Sequence, residues 1–98
     1  MKTLTTAQRQ YLKGLAHSRQ PVVMIGNHGL TPAVLKEIEC ALTAHELIKI
    51  KAASDEAATR RAWMEEICTA TQAAAVQLIG KTLVVFRPAP KAVIVLPA

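Results

Sequence analysis

The chain has 98 residues, 51% of them hydrophobic, and twelve Lys and Arg against seven Asp and Glu give a formal net charge of +5. That length fits one domain with one core, and the apolar share is enough to fold it without disulfides or a structural metal. A basic surface on so small a domain points to nucleic acid, or less often to an anionic membrane.

Thr5-Thr6-Ala7-Gln8 has the form of a capping box, with Thr5 as N-cap. The helix that follows runs to about His17, with Tyr11, Leu12 and Leu15 as its apolar stripe and Arg9 and Lys13 four apart on another face. Pro21 begins an extended segment, and Val22-Val23-Met24-Ile25 reads as a short, well-buried strand.

The strand stops at Gly26-Asn27-His28-Gly29, a Gly-x-x-Gly loop with a helix start directly behind it. Glycines allow a tight turn and a close approach of backbone to a ligand. Thr31 is the expected N-cap and Pro32 the first helical residue. The positive end of the helix dipole then points at the loop, an arrangement suited to a phosphate. This second helix extends to about Ala44, with Val34, Leu35, Ile38 and Leu42 at helical spacing.

Leu47-Ile48-Lys49-Ile50-Lys51 alternates as a strand does, with Ile48 and Ile50 on one face and Leu47, Lys49 and Lys51 on the other. Ser54 is the expected cap of a third helix, with Asp55 and Glu56 in its first turn. Met64, Ile67 and Cys68 supply much of its apolar face with Trp63 flanking them, and Arg60 and Arg61 are expected to pair within the helix with Glu56, Glu65 or Glu66. Residues 74–79 and 82–87 flank Gly80-Lys81 and read as a β-hairpin, which Pro88 and Pro90 end. Val93-Ile94-Val95-Leu96 is apolar enough for a small extra strand or for an extended tail that docks back.

The order is therefore α-β-α-β-α-β-β: a single compact α/β domain of α+β-like character, with a mixed sheet of about four strands packed by helices. Strands joined through helices should be parallel neighbours or near-neighbours, and the hairpin antiparallel. No internal repeat is present.

In this order and spacing the chain resembles the CRM domain family, named for chloroplast RNA splicing and ribosome maturation. More narrowly it resembles the stand-alone bacterial YhbY-like form. The stretches that carry the likeness are Leu12–His17, Pro21–Val23, Ile25-Gly26 with Gly29-Leu30-Thr31, Glu46–Lys51 and Gln77–Pro88, so that it runs from about residue 4 to residue 88. The resemblance implies an RNA-binding module, similar in fold to the C-terminal domain of translation initiation factor three. It also implies a role with precursors of the large ribosomal subunit, and a loop likened to the one by which KH domains clamp an RNA backbone. That loop role falls on Gly26, Asn27, His28 and Gly29, with Thr31 behind them. Many members place a lysine between the glycines, where this chain has Asn27-His28. More of the phosphate binding must then rest on Lys49, Lys51, Lys81 and Arg87, with Arg9, Lys13 and Arg19 expected to extend the basic surface near the loop.

No catalytic constellation accompanies these residues. His17, His28 and His45 lack partners at metal-ligand spacing, Ser18 and Ser54 lack a nucleophile motif, and no Walker-type Lys-Ser/Thr follows the loop. The expectation is a non-enzyme with no cofactor and no metal. Cys40 and Cys68 are expected to be buried reduced thiols. With no apolar run of signal-peptide or membrane-spanning length, the expected location is cytoplasmic, and the resemblance implies association with the ribosome. The expected partner is ribosomal RNA, with no membrane and no small-molecule substrate. A monomer is the expected state, although the aliphatic tail suits pairing across a dimer as well as folding back. The alternative function is a protein-interaction module that docks to a ribosome factor through Val93–Leu96.

Overall fold

The computed structural model describes residues 3–98. The capping box at Thr5 forms: its hydroxyl accepts from the Gln8 N–H at 3.1 Å and the Gln8 side chain accepts from the Thr5 N–H at 3.0 Å. It starts α1 (Thr6–His17), which is followed by β1 (Pro21–Ile25), α2 (Pro32–His45), β2 (Leu47–Ala52), α3 (Ala57–Thr71), β3 (Ala74–Ile79) and β4 (Thr82–Phe86). The element order expected from the sequence is the order observed.

The strands make one sheet in the order β1-β2-β4-β3. β1 and β2, joined through α2, are parallel neighbours, and β4 lies antiparallel to both β2 and β3. β2 and β3, joined through α3, are therefore parallel near-neighbours with β4 between them. Pro21 can open β1 because that strand is an edge, where its missing N–H costs the ladder nothing.

The two faces of the sheet build two cores. On one face α2 and α3 cover Val23, Ile25, Ile48, Ile50, Leu83 and Val85. On the other, Leu12 and Ala16 of α1 pack with Leu4 on Leu47, Ala74, Val76, Val84 and Phe86. Leu47 does share the lysine side of β2, but it is 1% exposed because α1 lies on it.

Val93–Leu96 forms no strand. It docks as an extended tail, with Ile94 and Leu96 packed into the second core while Val93 and Val95 face solvent. Glu46 fixes it. This residue ends α2 at φ +65°, and its buried carboxylate accepts from the backbone N–H groups of Ala89, Val93 and Ile94 at 2.8–2.9 Å.

Several local expectations change. β1 is not buried throughout: Val23 and Ile25 are buried, but Val22 and Met24 are exposed, because helices cover this edge strand on one face and alternate side chains point to the other. The N-cap position of α3 falls on Glu56, which makes no side-chain cap, while the Ser54 hydroxyl accepts from the Glu56 N–H and closes a turn before the helix. Asp55 and Glu56 thus precede α3, because Ser hydroxyls bond equally well two residues ahead in a turn as at a cap. Arg60 donates to the Ser54 carbonyl at 2.6 Å and so ties α3 to that turn. Cys40 is exposed on α2 and Cys68 half-buried, where both were expected to be buried; burial raises the pKa of the Cys68 thiol.

Candidate nucleic-acid interface

The Gly-x-x-Gly segment is a closed turn, in which the Gly29 N–H donates to the Gly26 carbonyl at 3.0 Å. Gly29 has φ +72°, a conformation that L side chains rarely adopt, and the Trp63 ring of α3 lies directly beneath it. Gly26 has no left-handed backbone, and a Cβ built on it would meet nothing within 4 Å. The two glycines therefore differ: Gly29 is required by backbone geometry, whereas Gly26 leaves open space in front of the chain. Asn27 and His28 are exposed at the tip.

Behind the turn, the Thr31 hydroxyl accepts from the Val34 N–H at 3.2 Å and the Thr31 carbonyl accepts from Leu35 at 3.0 Å. Pro32 has no N–H. Among the described residues, Ala33 is thus the first-turn amide of α2 left without an internal partner. The helix dipole still favours an anion here, but most of the first-turn donors are taken.

Two backbone bonds draw more of the chain to this end of the sheet. The Ala53 N–H donates to the Ile25 carbonyl at 2.9 Å, and the Ala52 N–H donates to the Lys81 carbonyl at 2.7 Å. The glycine turn, the β2–α3 connection and the β3–β4 turn therefore stand side by side. Lys51 is exposed on the strand leading there, opposite Met24 and Thr82, and Lys49 is half-buried two residues earlier. Lys81 bonds the Asp55 carboxylate at 2.6 Å, and this bond lowers the Asp55 pKa.

The remaining expected arginines go elsewhere. Arg19 precedes β1 and donates to the Leu47 and His45 carbonyls at 2.7 and 3.3 Å, at the opposite end of the sheet from the loop. The short sequence distance from Arg19 to Gly26 is spanned by an extended strand, which at about 3.3 Å per residue holds them roughly 15 Å or more apart. Arg9 donates to the Ala75 carbonyl at 3.4 Å, and Lys13 lies one turn further along α1, so neither sits beside the loop. Arg87 is engaged inside the fold. Its guanidinium meets Glu39 Oε2 at 2.7 Å, the Thr71 carbonyl at 3.0 Å and Thr43 Oγ1 at 3.0 Å, and so joins the end of β4 to α2 and α3.

Sequence reasoning missed Glu46 and Trp63 as parts of this architecture. A polar residue between a helix and a strand gave a faint signal for Glu46; nothing local marked Trp63 as the support of Gly29. Among the described residues no group of three His, Cys, Asp or Glu is gathered as a metal site, and no helix is long and apolar enough to cross a membrane.

Comparison with known proteins agrees with this architecture. A protein of Haemophilus influenzae named "RNA-binding protein" is 53% identical over 97 residues, covering 99% of this chain and 98% of its own length. One of Pseudomonas aeruginosa, named as a "Probable RNA-binding protein", is 43% identical over 88 residues, covering 90% of this chain and 85% of its own. The solution structure of a hypothetical protein from Staphylococcus aureus superposes with a TM-score of 0.84 at 33% identity, covering 96% of this chain and 99% of that one. The profile of the CRS1 / YhbY (CRM) domain matches residues 4–87, from the strand-flanking α1 through the glycine turn to the end of the hairpin, and the chain belongs to that family.

Proposed function

We propose that this protein binds RNA, and that its target is ribosomal RNA in precursors of the large ribosomal subunit during assembly. The observation that carries this reading is the closed turn Gly26–Gly29, seated at the start of α2 with Lys51 and Lys81 brought to the same end of the sheet. Relatives named as RNA-binding proteins over nearly their full length support it. The mechanism is a backbone grip: Gly26 lets a phosphate come close, the dipole of α2 favours the negative charge, and the lysines neutralise neighbouring phosphates. Asn27 and His28, exposed at the tip, supply polar contacts there. No catalytic step, cofactor or metal enters this reading, and the protein acts in the cytoplasm on the ribosomal particle.

The test is binding to purified large-subunit RNA and to duplex DNA of equal length across a salt series. A preference for the RNA, with log K falling linearly in log salt, is expected. Equal or absent binding to both would overturn the proposal. A second reading, docking of a protein through the tail, rests on Val93 and Val95, which stand 82% and 79% exposed. Such docking would respond little to salt.

A further inference from the structure

The second face of the sheet is covered over only half its length. α1 lies on Leu47, Ala74, Val76, Val84 and Phe86, at the end away from the glycine turn. Toward the turn, the strand register sets Met24 opposite Lys51, Lys51 opposite Thr82, and Thr82 opposite Ile79. Paired residues on adjacent strands point to the same side. Ile50 and Ala52, the neighbours of Lys51, point into the core under α2 and α3, so Lys51 and its row point to the open side. Four side chains thus cross all four strands in one line, about 14 Å from end to end at the usual strand spacing. Met24 and Ile79, at its two ends, are 59% and 58% exposed.

Charge is sorted between the two sides of the molecule. Of the seven carboxylates, Glu37 and Glu39 lie on α2, Glu65 and Glu66 on α3, Asp55 and Glu56 in the β2–α3 connection, and Glu46 under the tail. None stands on the open shelf, where Lys51 is exposed and Lys49 is half-buried at the edge next to α1. The far rim is basic as well. On α1, Gln8 bonds the tail at Pro97, whereas helical spacing puts Arg9 and Lys13 on the other side of the buried Leu12 and Ala16 stripe, toward the shelf.

We infer that this shelf seats a single-stranded RNA segment continuing from the glycine turn, with phosphates on Lys49 and Lys51 and unstacked bases against Met24, Thr82 and Ile79. The inference rests on the RNA-binding reading above and adds the strandedness of the target. A duplex presents phosphates and 2′-hydroxyls outward and keeps its base faces stacked, so it has nothing to lay on an apolar floor. Exposed Met and Ile gain by being covered only when the ligand brings apolar base faces to them. The basic rim and the absence of carboxylates favour an anionic strand over a peptide. The floor has no aromatic ring: Tyr11 is on the tail flank of α1, Trp63 lies under Gly29, and Phe86 is buried. Contact is therefore through flexible thioether and aliphatic groups, which adapt to any base and tolerate sequence variation.

The test uses fluorescence anisotropy with a labelled unstructured RNA of about 12 nucleotides, free or annealed to its complement, at several salt concentrations. The wild-type chain should bind the single strand about tenfold more tightly than the duplex. Replacing the floor in the double variant Met24→Ser/Ile79→Ser should lower single-strand affinity about tenfold with the salt slope unchanged. The double variant Lys49→Gln/Lys51→Gln should instead reduce the slope by about 1.4, as two phosphate contacts are lost. Met24, Ile79 and Lys51 are exposed and Lys49 is half-buried, and a thermal melt of each variant checks that it folds; the single variants Met24→Ser and Ile79→Ser serve should the pair not fold. Equal affinity for single strand and duplex, or a floor variant that binds as wild type does, overturns the shelf while the RNA-binding reading stands. Absence of binding to these probes and to large-subunit RNA overturns both.

Discussion

The Cα of Gly29 rests on the indole of Trp63: a Cβ added at Gly29 would lie 3.6 Å from Cζ2 of that ring, with the backbone already at φ +72°. Contact at that distance is ordinary, so the obstacle to a side chain at Gly29 is its backbone conformation. Gly29→Ala should cost about 1–2 kcal/mol of stability, measured by urea unfolding. Gly26 is the cleaner probe of loop function, because neither its φ nor its surroundings resist a side chain. Gly26→Asp should leave the melting temperature near wild type while RNA affinity falls at least about tenfold, since a carboxylate would stand where the phosphate approaches. Wild-type affinity in that variant would remove the turn from the interface. Trp63 is the single tryptophan, so its fluorescence should change on RNA binding and not in Gly26→Asp at the same RNA concentration.

Arg87 connects elements that the sequence separates widely. Its bonds to Glu39, Thr43 and Thr71 include a charge-assisted pair at 2.7 Å. Arg87→Ala should destabilise the fold by about 2 kcal/mol by removing them and leaving the Thr71 carbonyl short of a donor. Arg87→Lys should recover only part of this, as an ammonium cannot match the guanidinium fork. RNA affinity per folded molecule should stay within about twofold of wild type, which separates a structural role from a binding one.

Asp55 holds Lys81 by an exposed ion pair, with the two side chains 92% and 50% accessible. Such pairs contribute little to stability. Asp55→Asn should therefore leave thermal unfolding unchanged and free Lys81 for phosphate. RNA affinity should rise and the salt slope steepen by about one phosphate contact, read by anisotropy. An unchanged slope would place Lys81 outside the interface.

Glu46 makes tail docking sensitive to acid. Burial raises the pKa of its carboxyl, but the N–H groups of Ala89, Ile94 and Val93, with Arg19 nearby, outweigh burial and the net shift is downward from 4.5. A folded-state pKa below the unfolded value means that the stabilisation is complete above the unfolded pKa and disappears as pH falls through the folded one. Hydrogen exchange at Ala89, Val93 and Ile94 should stay protected at neutral pH and lose protection only as the pH falls below the ordinary Glu range. In Glu46→Gln the same amides should be less protected at pH 7, because a neutral amide oxygen is a weaker acceptor than a carboxylate. Retained protection in acid would mean that Ile94 and Leu96 hold the tail by packing alone.

Much of this was legible in the chain. The capping box at Thr5, the Thr31-Pro32 helix start, the Lys49–Lys51 alternation and the Gly80-Lys81 turn each act within a few residues, and each appears where read. The Ser54 cap failed for an equally local reason, as one hydroxyl had two competing amides to serve. The fate of the basic residues was not legible. Lys and Arg have long side chains that find acceptors wherever the fold brings them, and Arg87 finds Glu39 across 48 positions of sequence.

By itself the sequence determined the elements, their order and the glycine turn, because periodicity, caps and turn residues are set by neighbours along the chain. Only the tertiary structure decided which charges are free and where the surface is open. It set Arg19 and Arg87 to internal carbonyls and carboxylates, placed Glu46 under the tail, and left half of one sheet face bare with Lys51 on it and the half-buried Lys49 at its edge. Those outcomes depend on strand register and on how far one helix reaches across the sheet, quantities fixed by packing between segments that no local pattern records.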